Sequence, residues 1–346
     1  MVAEARRIGV HVLYRVAHDG AWASPTLDAE LRRTGASRAD AALATQIVYG
    51  ALRVLPDLDA AVQRYAARPV KVDDWVGAVL RAGVYQLLHL GRVPPHAVVH
   101  DSVQLVRDKR GKRVAGFVNA ILRKVATDRP DAPEPPTHVS VAPWLRSQLV
   151  ESLGADRTEA LLEVDSELPS IDLRVKRNID RETVAQAIRD ARPHARVVHT
   201  ELSPLGLRVA GAGDPRELPG YLEGAFAVQE EGAQLIGLLP DVVAGQRALD
   251  VCAGRGGKTA QLVEAVRPGG RIVATDLHEH RLEQIAGELQ RLRLGAESLE
   301  TACVDWSVGS GTVAGEFDAV LVDAPCTGLG TLRRRPEILL RSSQQS

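Results

Sequence analysis

Four apolar runs in the last third of the chain stop on, or close to, an aspartate: "RALDVCAG" from 247, "RIVATDL" from 271, "LETACVD" from 299 and "FDAVLVDAPC" from 317. Helical patterns such as "KTAQLVEAV" and "HRLEQIAGELQRLRL" separate the first three. Near-continuous apolar stretches such as "AVLV" suit strands buried on both faces, and strand–helix alternation suits a parallel, doubly wound sheet. In such a sheet ligands lie outside the carboxyl ends of the strands. Asp276, Asp305 and Asp323 stand at those ends. Any one of them could simply cap a following helix. Three of them beside a glycine turn favour a shared crevice.

That turn is "DVCAGRGGKT", residues 250–259. A phosphate-wrapping P-loop ending in Gly257-Lys258-Thr259 needs glycine at position 252, where Cys252 stands. The loop is too short to enclose a triphosphate. Asp276 follows the turn by about 20 residues, the usual distance for a carboxylate that accepts from a ribose diol. A nicotinamide dinucleotide and S-adenosylmethionine both carry such a diol, and the turn lacks the last glycine of the dinucleotide fingerprint.

The stretch "DAPCTGLGTLRRRPE", residues 323–337, sets an acid, a proline, a thiol and three arginines in a row. Cytosine carbon 5 is too weak a nucleophile to take a methyl group directly. A thiolate added to carbon 6 makes it enamine-like, and an acid near ring N3 takes up the developing charge. Asp323 and Cys326 have the chemistry for parts of that scheme. Arg333, Arg334 and Arg335 would grip phosphate beside it. The plainer alternatives are a buried small thiol and a solvated charged face.

Upstream, residues 1–128 read as helices. Apolar positions recur every three or four residues in "ADAALATQIVYGALRVL", "WVGAVLRAGVYQLLHL", "HAVVHDSVQLVRD" and "VAGFVNAILRKVA". Between the last two lies the basic run "RDKRGKR". Its Arg107, Lys109, Arg110, Lys112 and Arg113 are candidate RNA contacts, the alternative being an ordinary solvated loop. "TDRPDAPEPP" marks a linker over 129–139. Residues 140–224 mix helical and alternating patterns into a small α+β unit, and residues 225–346 carry the strand–helix repeat. Lys and Arg number 43 against 44 Asp and Glu, so only local clusters can argue for nucleic acid. Three cysteines without zinc spacing suit a reducing cytoplasm, and no metal site is expected. No apolar run reaches the roughly 20 residues of a membrane span. The expected form is a cytoplasmic monomer.

With these residues on the page, the chain resembles the bacterial ribosomal small-subunit RNA methyltransferase B (RsmB, or Sun) family of RNA cytosine-C5 methyltransferases. "DVCAGRGGKT" resembles that family's Asp-x-Cys-Ala-Ala-Pro-Gly-Gly-Lys-Thr motif, "DAPCTGLGTLRRRPE" its Asp-Ala-Pro-Cys motif, and "FAVQEEGAQL" (226–235) its Val-Gln-Asp motif. "RAGVYQLLHL", "PPHAVVHDSVQLVRD" and "AGFVNAILRKV" are similar to the helical RNA-binding module NusB. The resemblance implies an all-α NusB-like domain, a small α+β RNA-binding subdomain, and a Rossmann-like α/β class I methyltransferase domain that uses S-adenosylmethionine. It implies methylation of carbon 5 of a cytosine in 16S ribosomal RNA, position 967 in that family.

By the same resemblance, Cys252, Ala253, Gly254, Arg255, Gly256, Gly257 and Lys258 would wrap the methionine part of the cofactor. Asp276 would hold the ribose and Asp305 the adenine. Asp323 would face donor and base, and Cys326 would help release the product. Three departures stand out. Gly254-Arg255 replaces Ala-Pro, Glu230 replaces an aspartate, and the sequence contains no Thr-Cys pair, the family's nucleophile motif. The last departure leads to the expectation of an incomplete sheet lacking C-terminal strands. It leaves three alternatives open: Cys326 serves as a substitute nucleophile, the chain is an inactive RNA-binding remnant working through its helical domain, or a full-length protein is the methyltransferase and this chain keeps its cofactor and RNA halves.

Overall fold

The computed structural model describes residues 2–66, 74–163, 170–332 and 334–341. They form two compact units, one within 1–167 and 327–346, the other spanning 168–326.

The first unit is helical: α1 (Glu4–His18), α2 (Ala23–Thr34), α3 (Arg38–Arg53), α4 (Leu55–Tyr65), α5 (Asp74–His89), α6 (Pro95–Thr127), α7 (Pro143–Leu153) and α8 (Ala155–Leu162). Apolar residues one turn apart give each helix a buried stripe. Ile8 and Val12 of α1, Ile47 and Val48 of α3, Val79 and Leu80 of α5, and Ile121 and Leu122 of α6 make one core. Helices α3 and α5 meet so closely that a Cβ on Gly50 would overlap the Tyr85 ring. A polar bolt crosses the interior: buried Arg6 donates to Gln86 at 2.8 Å and to Asp101 at 2.6 Å.

The two expected helices flanking the basic run are continuous as α6, broken only at Gly111, where φ is +78°. Residues 140–162, expected within the α+β unit, form α7 and α8 of this helical unit. Residues 327–332 and 334–341 also belong here, with 3₁₀ turns at Leu329–Thr331 and Pro336–Leu340 and with Leu332 buried against Val139, Leu145, Leu149 and Leu162.

The second unit holds two sheets. The first is antiparallel, in the order β2 (Arg196–His199), β3 (Gly206–Ala210), β1 (Ser170–Val175), β4 (Phe226–Val228), with α9 (Arg181–Ala191) against its apolar face. Phe226–Val228, expected to open the methyltransferase part, instead pairs with β1. Its three residues alternate no differently from those of a parallel strand, so local pattern could not assign its sheet.

After α10 (Glu231–Leu238) comes the parallel sheet, built from β5 (Arg247–Asp250), α11 (Gly257–Val266), β6 (Arg271–Asp276), α12 (Glu279–Arg291), β7 (Leu299–Cys303) and β8 (Ala319–Leu321). Its order is β7-β6-β5-β8, so among the described residues β8 forms one edge. Val263, Val266, Ile285 and Leu289 cover one face over Ile272 and Ala274, while Val313 and Phe317 pack on Leu249, Val251 and Val273 of the other. Arg174 of β1, 1% exposed, ties the sheets together: it donates to Gln229 at 2.7 Å and to Glu264 of α11 at 2.8 Å.

Candidate active site

Strand β5 ends at Asp250, and the chain turns through 251–256 into α11. The turn depends on glycine at one position above all. Gly256 has φ +86°, and a Cβ there would lie 2.8 Å from Ile285 of α12. Glycine alone allows both the left-handed backbone and the close approach. Gly254 also takes a positive φ, +56°, and Arg255 points to solvent. Cys252 is half-buried and Ala253 buried.

The turn is braced from β6. Ala253 donates to the Thr275 carbonyl at 2.8 Å, and the Thr275 hydroxyl donates to the Val251 carbonyl at 2.7 Å. Asp276, buried at the end of β6, accepts from the Gly254 amide at 3.0 Å and from the His278 amide at 2.9 Å. Its carboxylate keeps lone pairs beyond these two donors. Lys258, in the first turn of α11, pairs with Asp323 beyond the end of β8. Asp276, Asp323 and the glycine turn are thus one cluster.

Asp305 is exposed, and its Oδ1 accepts from the Ser307 amide at 3.0 Å and the Ser307 hydroxyl at 2.6 Å. Those bonds hold its carboxyl below the usual aspartate range. Cys326 is an exposed free thiol. Arg334 and Arg335 belong to the helical unit, where the Arg335 guanidinium lies 5.2 Å from the Trp22 ring centroid. Arg333 lies outside the described residues. Residues 107–113 are all exposed on α6, and Lys109 sets its ammonium 3.6 Å from the Trp75 ring centroid.

Sequence reading missed two participants, Asp250 and Trp306. Asp250 is buried and accepts from the Thr259 hydroxyl at 2.7 Å. Burial, with Asp323 and Asp276 nearby, pushes its carboxyl up to about 6 despite Thr259 and Lys258. Burial and the same acids push the Cys252 thiol up. Trp306 follows Asp305, and its indole N–H donates to Thr275 Oγ1 at 2.9 Å. Glu337, buried, accepts from the Ala23 amide at 3.1 Å and so caps α2 of the helical unit. Asp250 and Glu337 lay within the quoted motifs; nothing local marked Trp306.

Comparison with known families matches residues 3–127 to the NusB family and residues 238–346 to the 16S rRNA methyltransferase RsmB/F family. The ribosomal RNA small subunit methyltransferase B of Yersinia enterocolitica is 32% identical, over 86% of this chain and 70% of that one. The chain belongs to the ribosomal RNA small subunit methyltransferase B family. That places it among RNA methyltransferases, with a NusB-like helical region and a Rossmann-like α/β region. The fold agrees with two solved structures. The crystal structure of PH0851 has a TM-score of 0.78 at 21% identity, covering 99% of this chain and 79% of that one. The structure of NSun6 from Pyrococcus horikoshii with SFG has a TM-score of 0.50 at 15% identity, covering 59% and 75%. Among the described residues no helix is long and apolar enough to cross a membrane.

Proposed function

We propose that this chain binds S-adenosylmethionine over the glycine turn and methylates carbon 5 of a cytosine in 16S ribosomal RNA, with the family's position 967 as the target. The observation that carries the reading is the Lys258–Asp323 pair, which ties the turn to the Asp-Ala-Pro-Cys segment while Asp276 holds Gly254 from the other side. The SFG in the NSun6 structure, an analogue of S-adenosylmethionine, supports the choice of cofactor.

The residues present fit that cofactor. Gly256 keeps the turn tight, Asp276 has spare acceptor capacity for a ribose diol, and Leu277, 58% exposed, offers an apolar surface beside it. Cys252 to Lys258 would surround the methionine part, and Asp305 would face the base. S-adenosylmethionine supplies an electrophilic methyl group when bound. Asp323 is assigned to ring N3 of the target cytosine, where charge develops, with Lys258 fixing its carboxylate. That chemistry calls for a thiolate that bonds to carbon 6 and is expelled again when a base removes the carbon-5 proton after methyl transfer; the Thr-Cys pair that carries this thiolate in the family is absent from this sequence. Cys326 is assigned to that release. RNA would be held by Arg107, Lys109, Arg110, Lys112 and Arg113 on α6, and by Arg333, Arg334 and Arg335.

A second reading makes Cys326 itself the attacking thiol. It is favoured by the exposure of Cys326, three residues after Asp323, while Cys252 is half-buried with its thiol pushed up. Transfer of a labelled methyl group to small-subunit RNA tests both. Asp323→Asn abolishes transfer under either reading. Cys326→Ala yields no methylation if Cys326 is the attacking thiol, and leaves label transfer to cytosine detectable if it only helps release product. Absence of label on cytosine with the unaltered chain would contradict the activity and leave RNA binding by the helical unit.

A further inference from the structure

The parallel sheet orders its strands β7-β6-β5. In the reading above, the methionine part of the cofactor lies over the turn after β5, and the ribose lies at Asp276 after β6. The base then falls over the end of β7. Neighbouring strands are about 4.8 Å apart, so two steps cover about 10 Å, roughly the reach of a nucleoside.

The side chain fixed at that end is Trp306. The Val304 amide donates to the Asp276 carbonyl at 3.1 Å, which sets the end of β7 beside the ribose acid. The next residues form a tight turn: the Asp305 carbonyl accepts from Val308 and Gly309 at 3.0 and 3.2 Å, and Ser307 occupies the Asp305 carboxylate. Trp306 sits within this turn. Its N–H is committed to Thr275 Oγ1, whose hydroxyl is in turn committed to the Val251 carbonyl under the glycine turn. The indole is therefore pinned two hydrogen bonds from the cofactor turn, and 36% of the residue remains exposed. With its one donor used, what the ring has left to offer is a π surface. Leu277, which follows Asp276 in the chain, is an exposed apolar neighbour. A rigid aromatic face and an aliphatic side chain flanking a ribose acceptor suit a flat heteroaromatic base.

We propose that Trp306 is the adenine-contacting wall of the cofactor site, stacking on the base while Asp276 holds the sugar. The inference rests on the S-adenosylmethionine reading and adds a binding residue that the motifs do not contain. It makes Trp306 the optical reporter of occupancy among the four tryptophans of the chain.

The test is titration of the full chain with S-adenosylhomocysteine, followed by calorimetry and by tryptophan emission. Binding to the unaltered protein quenches emission. Trp306→Phe keeps a stacking ring, so it binds within a few-fold but loses the quench, whereas Trp22→Phe and Trp144→Phe retain it. Trp306→Ala weakens binding about tenfold, the scale of losing one base–aromatic stack. Comparison of Trp306→Phe with Trp306→Ala separates stacking from any loss of the Thr275 bond, which both variants lack. If the ligand binds but Trp306→Phe keeps the quench and Trp306→Ala keeps its affinity, the inference is overturned and the cofactor reading stands. If the unaltered protein binds no S-adenosylhomocysteine, the cofactor reading fails and this inference falls with it.

Discussion

Lys258 and Asp323 form an ion pair across 65 positions of sequence, joining the first turn of α11 to the segment that follows β8. The lysine comes from the glycine motif and the aspartate from the Asp-Ala-Pro-Cys motif, so the pair is where the two meet. Lys258→Met keeps the aliphatic stem and removes the charge. The expected outcome is loss of methyl transfer with an affinity for S-adenosylhomocysteine about tenfold lower, the scale of one charge-assisted hydrogen bond. Unchanged affinity and transfer would show the pair to be incidental.

Asp250 makes stability depend on pH. Its carboxyl is pushed up to about 6 in the folded protein, from about 3.9 in an unfolded chain. A carboxyl raised on folding holds its proton more tightly in the native state. Its contribution is therefore fully present below about pH 4 and is lost as pH rises through about 6. Asp250→Asn keeps an acceptor for Thr259 without the charge. Thermal or denaturant unfolding of the cofactor-free protein should show the two nearly alike at pH 4. At pH 8 the variant should be the more stable, by on the order of 2 kcal/mol. A difference that does not vary with pH would count against a buried, proton-binding Asp250.

Gly50 tests the helical core. The space a Cβ would need is filled by the buried Tyr85 ring, whose hydroxyl is pushed up to about 12 by burial. Gly50→Ala should lower unfolding stability by about 1–3 kcal/mol, the usual cost of overpacking, although alanine favours helix. A neutral or stabilising effect would mean that α3 and α5 pack less closely.

The basic run on α6 offers an electrostatic test. Arg107, Lys112 and Arg113 are exposed, while Lys109 is engaged with Trp75. Reversing the charge of Arg107, Lys112 and Arg113 should weaken RNA binding and lower the slope of log affinity against log salt by about one per lost phosphate contact. Binding measured from low to moderate salt checks this, and an unaltered slope would remove the run from the RNA surface.

The sequence made the parallel sheet legible because strands buried on both faces and amphipathic helices have different periods, and β5, β6 and β7 each end close to an aspartate. Asp276 and Asp323 could be placed from that pattern alone. The partner of Phe226–Val228 could not, because a three-residue strand carries no register information. Nor could the state of Asp250, which is set by enclosure among Thr259, Lys258, Asp276 and Asp323 rather than by its neighbours in sequence. The arginines after Cys326 looked like part of the catalytic segment. Arg335 lies over Trp22, and Glu337 caps α2, contacts with residues more than 300 positions away that no local pattern encodes.

The central claim is that the turn after Val251, with the carboxylates of Asp276 and Asp323, seats an adenosine carrying a sulfonium chain. Calorimetry of the folded chain against S-adenosylhomocysteine, ATP and a nicotinamide dinucleotide in parallel is the most direct measurement of it. The account predicts saturable one-to-one binding of S-adenosylhomocysteine, lost or sharply weakened in Asp276→Ala, and no comparable heat with the other two. Binding of ATP or the dinucleotide without S-adenosylhomocysteine would contradict it.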